Sequence, residues 1–321
     1  MKGTLLAILA VAIVAPLAAC GGGNTPGSSS GGSSGQSSTC PSGGGSTNGN
    51  GAHVSIGSKG FAEEQLLATI TKLALEKHGF TVDFSLQAKD TAIGTALQNG
   101  QIDMLWQYTG TELQTYLNLT TFPRDLDQAF TFVQQKDAAR GLCWVAPAPM
   151  NDTNGLAIPA AMQSTLGSTL SDFNTYLQSH PQTKVCILSE FRTRADGIPG
   201  LVSTYGQGFA TSNVNYIDIG STAESNLKSG QCVAGEVFTT DSPIAADNLA
   251  VLKDDKNLFP PDTVGLIVRS SVLKANPAIA TIMAPIAAKI TSDVITGLNK
   301  KVEIDNQSVD SVAQAWLNSN S

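Results

Sequence analysis

Residues 53–105 read HVSIGSKGFAEEQLLATITKLALEKHGFTVDFSLQAKDTAIGTALQNGQIDML. Residues 53–57 alternate apolar and polar, the pattern of a half-buried strand. After Ser58-Lys59-Gly60-Phe61, residues Leu66, Ile70, Leu73 and Ala74 recur at helical spacing, which predicts a helix over 62–77. His78-Gly79 is a stop signal. Residues 81–86 read as a second strand. Asp90-Thr91 caps a helix running to about residue 99, Gly100 ends it, and residues 102–105 form a short buried strand. Strand–helix–strand–helix–strand order implies a parallel sheet with right-handed crossovers.

The same alternation starts again after Pro147-Ala148-Pro149. Strands are expected at 156–158, 184–188, 214–217 and 233–238, with helices at 171–179, 199–205 and 222–229. Beyond the Asp254-Asp255-Lys256 loop and Pro260-Pro261 come a strand at 264–268 and two or three helices. A late return of the chain to its first half accounts for this ending. The expected division is lobe 1 at 52–148 plus 260–321 and lobe 2 at 149–259. Two chain crossings then leave a cleft at the hinge, where ligands of open α/β sheets sit, beyond the carboxyl ends of the strands.

The N-terminal side reads differently. Met1-Lys2-Gly3 precedes an apolar run over 4–19 that ends in Leu17-Ala18-Ala19-Cys20. The run is too short to span a bilayer comfortably and has the order of a signal peptide. The stretch resembles a bacterial lipobox, with the Cys20 thiol as the nucleophile that takes up a diacylglyceryl group; an ordinary secretory signal is the alternative. Residues 21–51 are nearly all Gly, Ser, Thr, Asn and Pro. They have nothing to bury against their ordering entropy and are expected to act as a disordered tether of roughly 30 Å. The body is thus expected outside the cytoplasm, lipid-anchored to the bacterial cell membrane.

Composition excludes several classes. The net charge is −7, with 26 acidic against 19 basic residues and no Lys/Arg cluster, which argues against nucleic-acid binding. The three histidines are scattered and no Cys-x-x-Cys spacing occurs, so no metal site and no cofactor are expected. No Gly-x-Ser-x-Gly elbow or nucleophile–base arrangement points to an enzyme. Cys40, Cys143, Cys186 and Cys232 remain for disulfides in an oxidising compartment.

The loops after the strands carry the chemistry. Lys59 sits in the Gly57-Ser58-Lys59-Gly60-Phe61 loop at a helix start, a setting suited to an anion. Trp106-Gln107-Tyr108-Thr109-Gly110-Thr111 offers an aromatic face and hydroxyls. Glu190 to Gly197 presents Arg192 and Arg194, guanidinium forks able to hold a carboxylate. Phe238-Thr239-Thr240-Asp241 follows the last strand of the second unit.

Taken in order, Gly57-Ser58-Lys59-x-Phe61, Gly100-Gln101-Ile102-Asp103, Tyr108-Thr109-Gly110-Thr111, Phe191-x-x-Arg194-x-Asp196-Gly197, Thr240-Asp241 and Lys253-Asp254-Asp255-Lys256-Asn257-Leu258-Phe259-Pro260-Pro261 resemble the substrate-binding proteins of ABC importers for glycine betaine, choline, carnitine and related osmoprotectants. The resemblance spans 53–319. It implies the type II periplasmic-binding-protein fold, two α/β lobes that close on a small-molecule solute. It also implies a membrane permease and an ATPase as partners, and a monomeric receptor. Such receptors hold a quaternary ammonium in a tyrosine cage by cation–π attraction, with Lys, Arg and Thr on a carboxylate. Carried over, Tyr108 is the cage tyrosine, Thr111 the threonine beside it, and Lys59 and Arg194 the carboxylate partners. Phe238, Asn154 and Glu224 stand where the family has further tyrosines. Asn154 and Glu224 suit a ligand with hydrogen-bond donors or a protonated amine. A solute-binding protein for a different polar or amine ligand, or a solute sensor, are the alternative readings.

Plainer roles compete. Lys59 can be a solvated loop lysine, Tyr108 and Phe238 packing residues, Arg194 a clamp on Glu190 or Asp196, and Asp241 a brace at a helix start. For the disulfides, a 2-1-3 strand order makes the strands near Cys186 and Cys232 neighbours, so a Cys186–Cys232 bridge is expected, with Cys143–Cys186 as the alternative.

Overall fold

The computed structural model describes residues 40, 41, 45–86, 90–220 and 222–320. Cys20 and most of the 21–51 segment lie outside them. The strands are β1 (His53–Ser58), β2 (Thr81–Leu86), β3 (Met104–Tyr108), β4 (Leu142–Ala148), β5 (Asn154–Pro159), β6 (Lys184–Leu188), β7 (Asn215–Ile219), β8 (Ala234–Phe238), β9 (Leu249–Val251) and β10 (Val264–Arg269). They form two five-stranded sheets, β2-β1-β3-β10-β4 and β7-β6-β8-β5-β9. In each, four strands point the same way and one is reversed: β10 lies antiparallel to β3 and β4, and β5 antiparallel to β8 and β9.

The first sheet is built as its sequence demands. The helix Ala62–Lys77 turns Leu66, Leu67, Ile70 and Leu75 inward with no solvent exposure, and each such side chain contributes about 1.5–3 kcal/mol of burial. It packs against β1, β2 and β3 on one side and the helices Ser292–Glu303 and Val309–Asn320 on the other. The second sheet has its own core, centred on Phe173, Phe191, Leu201 and Phe209.

The strand directions create the cleft. The carboxyl ends of β1, β3 and β4 and the start of β10 share one edge of the first sheet. The carboxyl ends of β6, β7 and β8 and the start of β5 share one edge of the second. The chain passes between these edges twice, from β4 to β5 and from residue 259 to β10. The crossings are tied together: Asp152 N donates to Asp262 O at 3.1 Å, and Asp262 N to Asn151 Oδ1 at 2.8 Å.

Several expectations need correcting. The sheets are mixed rather than parallel throughout. The third strand is not 102–105 but Met104–Tyr108: Asp103 is occupied by Ser55 and Arg269, and the polar Gln107 and Tyr108 are buried in the strand by side-chain partners. β4 forms although Pro147 discourages a strand, because it lies at the sheet edge, where a missing N–H is tolerated. Four helices, not two or three, follow β10. The packed body starts earlier than residue 52. Gly49 N donates to His78 O at 2.7 Å, and Cys40 is bonded to Cys143 with Cα atoms 5.5 Å apart. Cys143 is therefore not available to Cys186, which is bonded to Cys232 across β6 and the entry to β8 (Cα–Cα 5.8 Å). Among the described residues, no single helix is long and apolar enough to cross a membrane.

Candidate functional site

Lys59 leaves the end of β1 and Tyr108 ends β3, so the β1–β3 pairing brings them together. The Lys59 ammonium donates to Gln107 Oε1 at 2.8 Å, lies 3.6 Å from Glu64, and sits 4.6 Å from the centre of the Tyr108 ring. Lys59 is thus a buried cation over an aromatic face, not a solvated loop lysine. The Tyr108 hydroxyl donates to Glu63 Oε1 at 2.8 Å. Thr111 is buried in the helical turn that follows. The N–H of Gly110 in that turn donates to Asp262 Oδ1 at 2.5 Å.

Across the cleft, Asn154 opens β5 directly opposite Phe238, the last residue of β8. Cross-strand partners share a sheet face, so these two side chains are neighbours. The Phe238 ring stacks on Phe61 from the other lobe (centroids 6.0 Å apart, 25° between planes), and Phe61 lies 6.3 Å from Tyr108. Three rings therefore run continuously from one sheet edge to the other. Asn154 Nδ2 donates to Asp196 Oδ2 at 3.3 Å, while its Oδ1 has no partner among the described residues. Arg194 places Nε and Nη2 on the two oxygens of Asp196 at 2.9 and 3.0 Å, so in this arrangement its fork is filled from its own loop. Arg192 faces elsewhere, onto Asp218 and Tyr216.

Glu224 begins a short helix, Glu224–Lys228, that packs on β5 and β8. It is buried, and its Oε1 has no partner among the described residues. Its carboxyl is bonded to that of Asp241, whose Oδ2 accepts from Phe238 N at 2.7 Å.

The sequence reading missed the latch between the lobes. Glu63 Oε2 accepts from Thr240 Oγ1 at 2.6 Å and from Asn299 Nδ2 at 3.0 Å, and Ser242 Oγ donates to Glu303 Oε2 at 2.7 Å. Glu63 reads as an ordinary acid in a first helical turn, and no sequence pattern reveals that it is buried. Phe61 has no local signal for its partner 177 residues away.

The electrostatics follow from burial. Desolvation pushes the Glu63 carboxyl up, against the hydrogen bonds of Thr240, Asn299 and Tyr108 and the charge of Lys59. Asp152 is raised well above the carboxylate range by burial and by Glu63, and Asp241 is pushed to about 10 by burial and by Glu224 beside it. Asp262 and Glu236 rise to about 8, again from burial. For Arg194, burial opposes the charge and Asp196 more than offsets it, so the group stays firmly cationic. The Tyr108 hydroxyl is raised by burial and by Glu63, so it remains a donor.

Beside the crossings lies a cavity of about 530 Å³, touching Asn151, Thr153, Asn154, Thr239, Pro260 and Pro261. Lys59, Tyr108, Arg194, Glu224 and Phe238 do not line it; in this conformation the lobes are drawn together over them. Among the described residues no cluster of three metal-ligating side chains exists. Aromatic faces, buried carboxylates and two fixed cations can hold a charged solute between two halves.

Residues 52–319 match the family model described as the substrate binding domain of ABC-type glycine betaine transport system. The chain belongs to this family. Among its relatives, the glycine-betaine-binding protein of Pseudomonas aeruginosa is 32% identical over 271 residues, covering 82% of this chain and 86% of that protein. The glycine betaine-binding protein YehZ of Escherichia coli is 28% identical over 82% of this chain and 89% of its own length. The apo structure of YehZ superposes with a TM-score of 0.61 at 26% identity, covering 84% of this chain and 98% of that one. A glycine betaine/carnitine/choline ABC transporter structure gives 0.68 at 23% identity, over 83% and 98%, and supports the fold alone. This receptor therefore has the two-lobed periplasmic-binding-protein fold. It is an extracytoplasmic solute-binding component of an ABC importer rather than an enzyme, and it works with a permease and an ATPase.

Proposed function

We propose that the receptor captures one quaternary ammonium, or a related cationic or zwitterionic solute, between lobes formed by residues 52–148 with 260–321 and by 149–259. The observation that carries this is the run of three rings, Tyr108–Phe61–Phe238, bridging the two sheet edges among buried carboxylates. Cation–π attraction in such a desolvated place is worth about 2 kcal/mol per favourable face. Entry of a solute requires the lobes to part, releasing Thr240 from Glu63 and Phe238 from Phe61. The Tyr108 face then exchanges the Lys59 ammonium for the solute's cationic end, and Lys59 and Thr111 become available to a solute carboxylate. Arg194 reaches such a carboxylate only by giving up Asp196; otherwise it fixes the loop that orients Asn154.

The sequence around Cys20 supports a lipid anchor that holds a monomeric receptor at the membrane through the residue 21–51 segment. A Cys20→Ser variant is expected to appear in the soluble fraction instead of the membrane fraction.

Isothermal titration with glycine betaine, choline and carnitine tests the solute class. One site per chain and no turnover are expected from at least one of them. The absence of heat from all three contradicts the quaternary-ammonium form of this reading.

A further inference from the structure

The two acceptors at the lobe 2 end of the ring series are the most unusual feature of the cleft. Asn154 is 3% exposed and Glu224 4% exposed, and each holds one oxygen with no partner among the described residues. A buried acceptor left without a donor costs the desolvation of that group. Both belong to the cleft edge of the second sheet. Asn154 faces Phe238 across β5 and β8, and the Glu224 helix packs on those same strands. Their surroundings are anionic: Asp241 is bonded to Glu224, and Glu63, Asp152 and Glu303 stand close by, with Lys59 the facing cation of lobe 1 and Arg194 already committed to Asp196.

A fully methylated ammonium has only C–H groups to offer, so it satisfies aromatic faces but not carbonyl and carboxylate oxygens. Resting on the receptor function above, we propose that the solute is a protonated amine whose N–H is shared by the acceptors Asn154 Oδ1 and Glu224 Oε1 while its carbon substituents lie on Phe238 and Phe61. The N–H, not the methyl count, then determines selectivity.

Two matched pairs test this by isothermal titration of the whole receptor: N,N-dimethylglycine against glycine betaine, and N,N-dimethylethanolamine against choline. Each pair differs by one methyl replaced with an ammonium N–H. The dimethyl compound is expected to bind about tenfold or more tightly in at least one pair, the range of a hydrogen bond to a charged acceptor. Glu224→Gln, nearly isosteric, is expected to reduce that ratio toward one, and Asn154→Leu to do the same by removing the other acceptor; a thermal melt of each variant establishes that it folds. Equal or tighter binding of the methylated compounds overturns the inference while leaving the receptor reading intact. A ratio unchanged in both folded variants overturns it too. No heat from any of the four overturns both.

Discussion

Two pairs of buried acids, one in each lobe, are resolved in opposite ways. In the first lobe, Glu112 and Asp137 lie against each other, and Arg140 Nη1 donates to both at 2.6 Å. The Trp144 indole donates to the remaining Asp137 oxygen at 2.7 Å. In the second lobe, Glu224 and Asp241 are likewise bonded to each other, but no lysine, arginine or indole closes the pair among the described residues, and Glu224 Oε1 is left over. One acid in each pair is raised for the same reason, desolvation: Glu112 to about 8 and Asp241 to about 10. A perturbed pKa therefore does not by itself distinguish scaffold from site. The distinguishing feature is whether the hydrogen-bonding capacity is used up by the protein.

The largest effect should come from breaking the closed cluster. Arg140→Met strands two buried carboxyls, which costs about 3–5 kcal/mol for a fully buried pair; because Arg140 keeps about a quarter of its side chain in water, the lower end is expected. A fall in Tm with unchanged solute affinity per folded molecule is the outcome, read by calorimetry and titration. The open cluster should respond differently: Glu224→Gln should leave Tm unchanged or raised, since a neutral amide costs less to bury.

Proton linkage gives the next effect. Asp241, Asp262, Glu236 and Glu112 have folded values above their unfolded ones. The folded state thus holds protons that the unfolded chain has lost above about pH 4–5. Stability is full below the unfolded carboxylate range and falls as pH rises toward about 8–10. Asp172 and Asp255 are lowered by local hydrogen bonds and act only in more acidic solution. The ligand-free Tm should be higher at pH 5.5 than at pH 8, and Asp241→Asn should flatten that slope. Cation affinity should run the other way, rising with pH as the cleft carboxyls ionise.

A smaller change sharpens the comparison at the latch. Thr240→Val removes a donor from Glu63 across the cleft, about 1.5–3 kcal/mol for a hydrogen bond to a charged group. The ligand-free receptor should open, seen as a larger radius of gyration in small-angle scattering, and affinity should fall modestly.

The fold was legible because periodicity reports each element locally: the helix Ala62–Lys77 and β6 lie where the pattern places them. The motif order brought Lys59 and Tyr108 into view, and they do meet. What escaped was set by distant pairing. Glu63 owes its burial to Thr240 and Asn299, Phe61 its role to Phe238, and Cys40 its place to Cys143; none of these has a local signature. Arg194 shows the reverse: the sequence offered a free fork, and its own loop fills it.

The most direct measurement is a crystal structure of the receptor grown with whichever of the four amines binds most tightly. The nitrogen should lie within about 6 Å of the Tyr108 or Phe238 ring centre, between the two sheet edges and within hydrogen-bonding reach of Glu224. A solute found instead in the cavity beside Pro260 and Pro261, with the three rings still stacked together, would contradict the account.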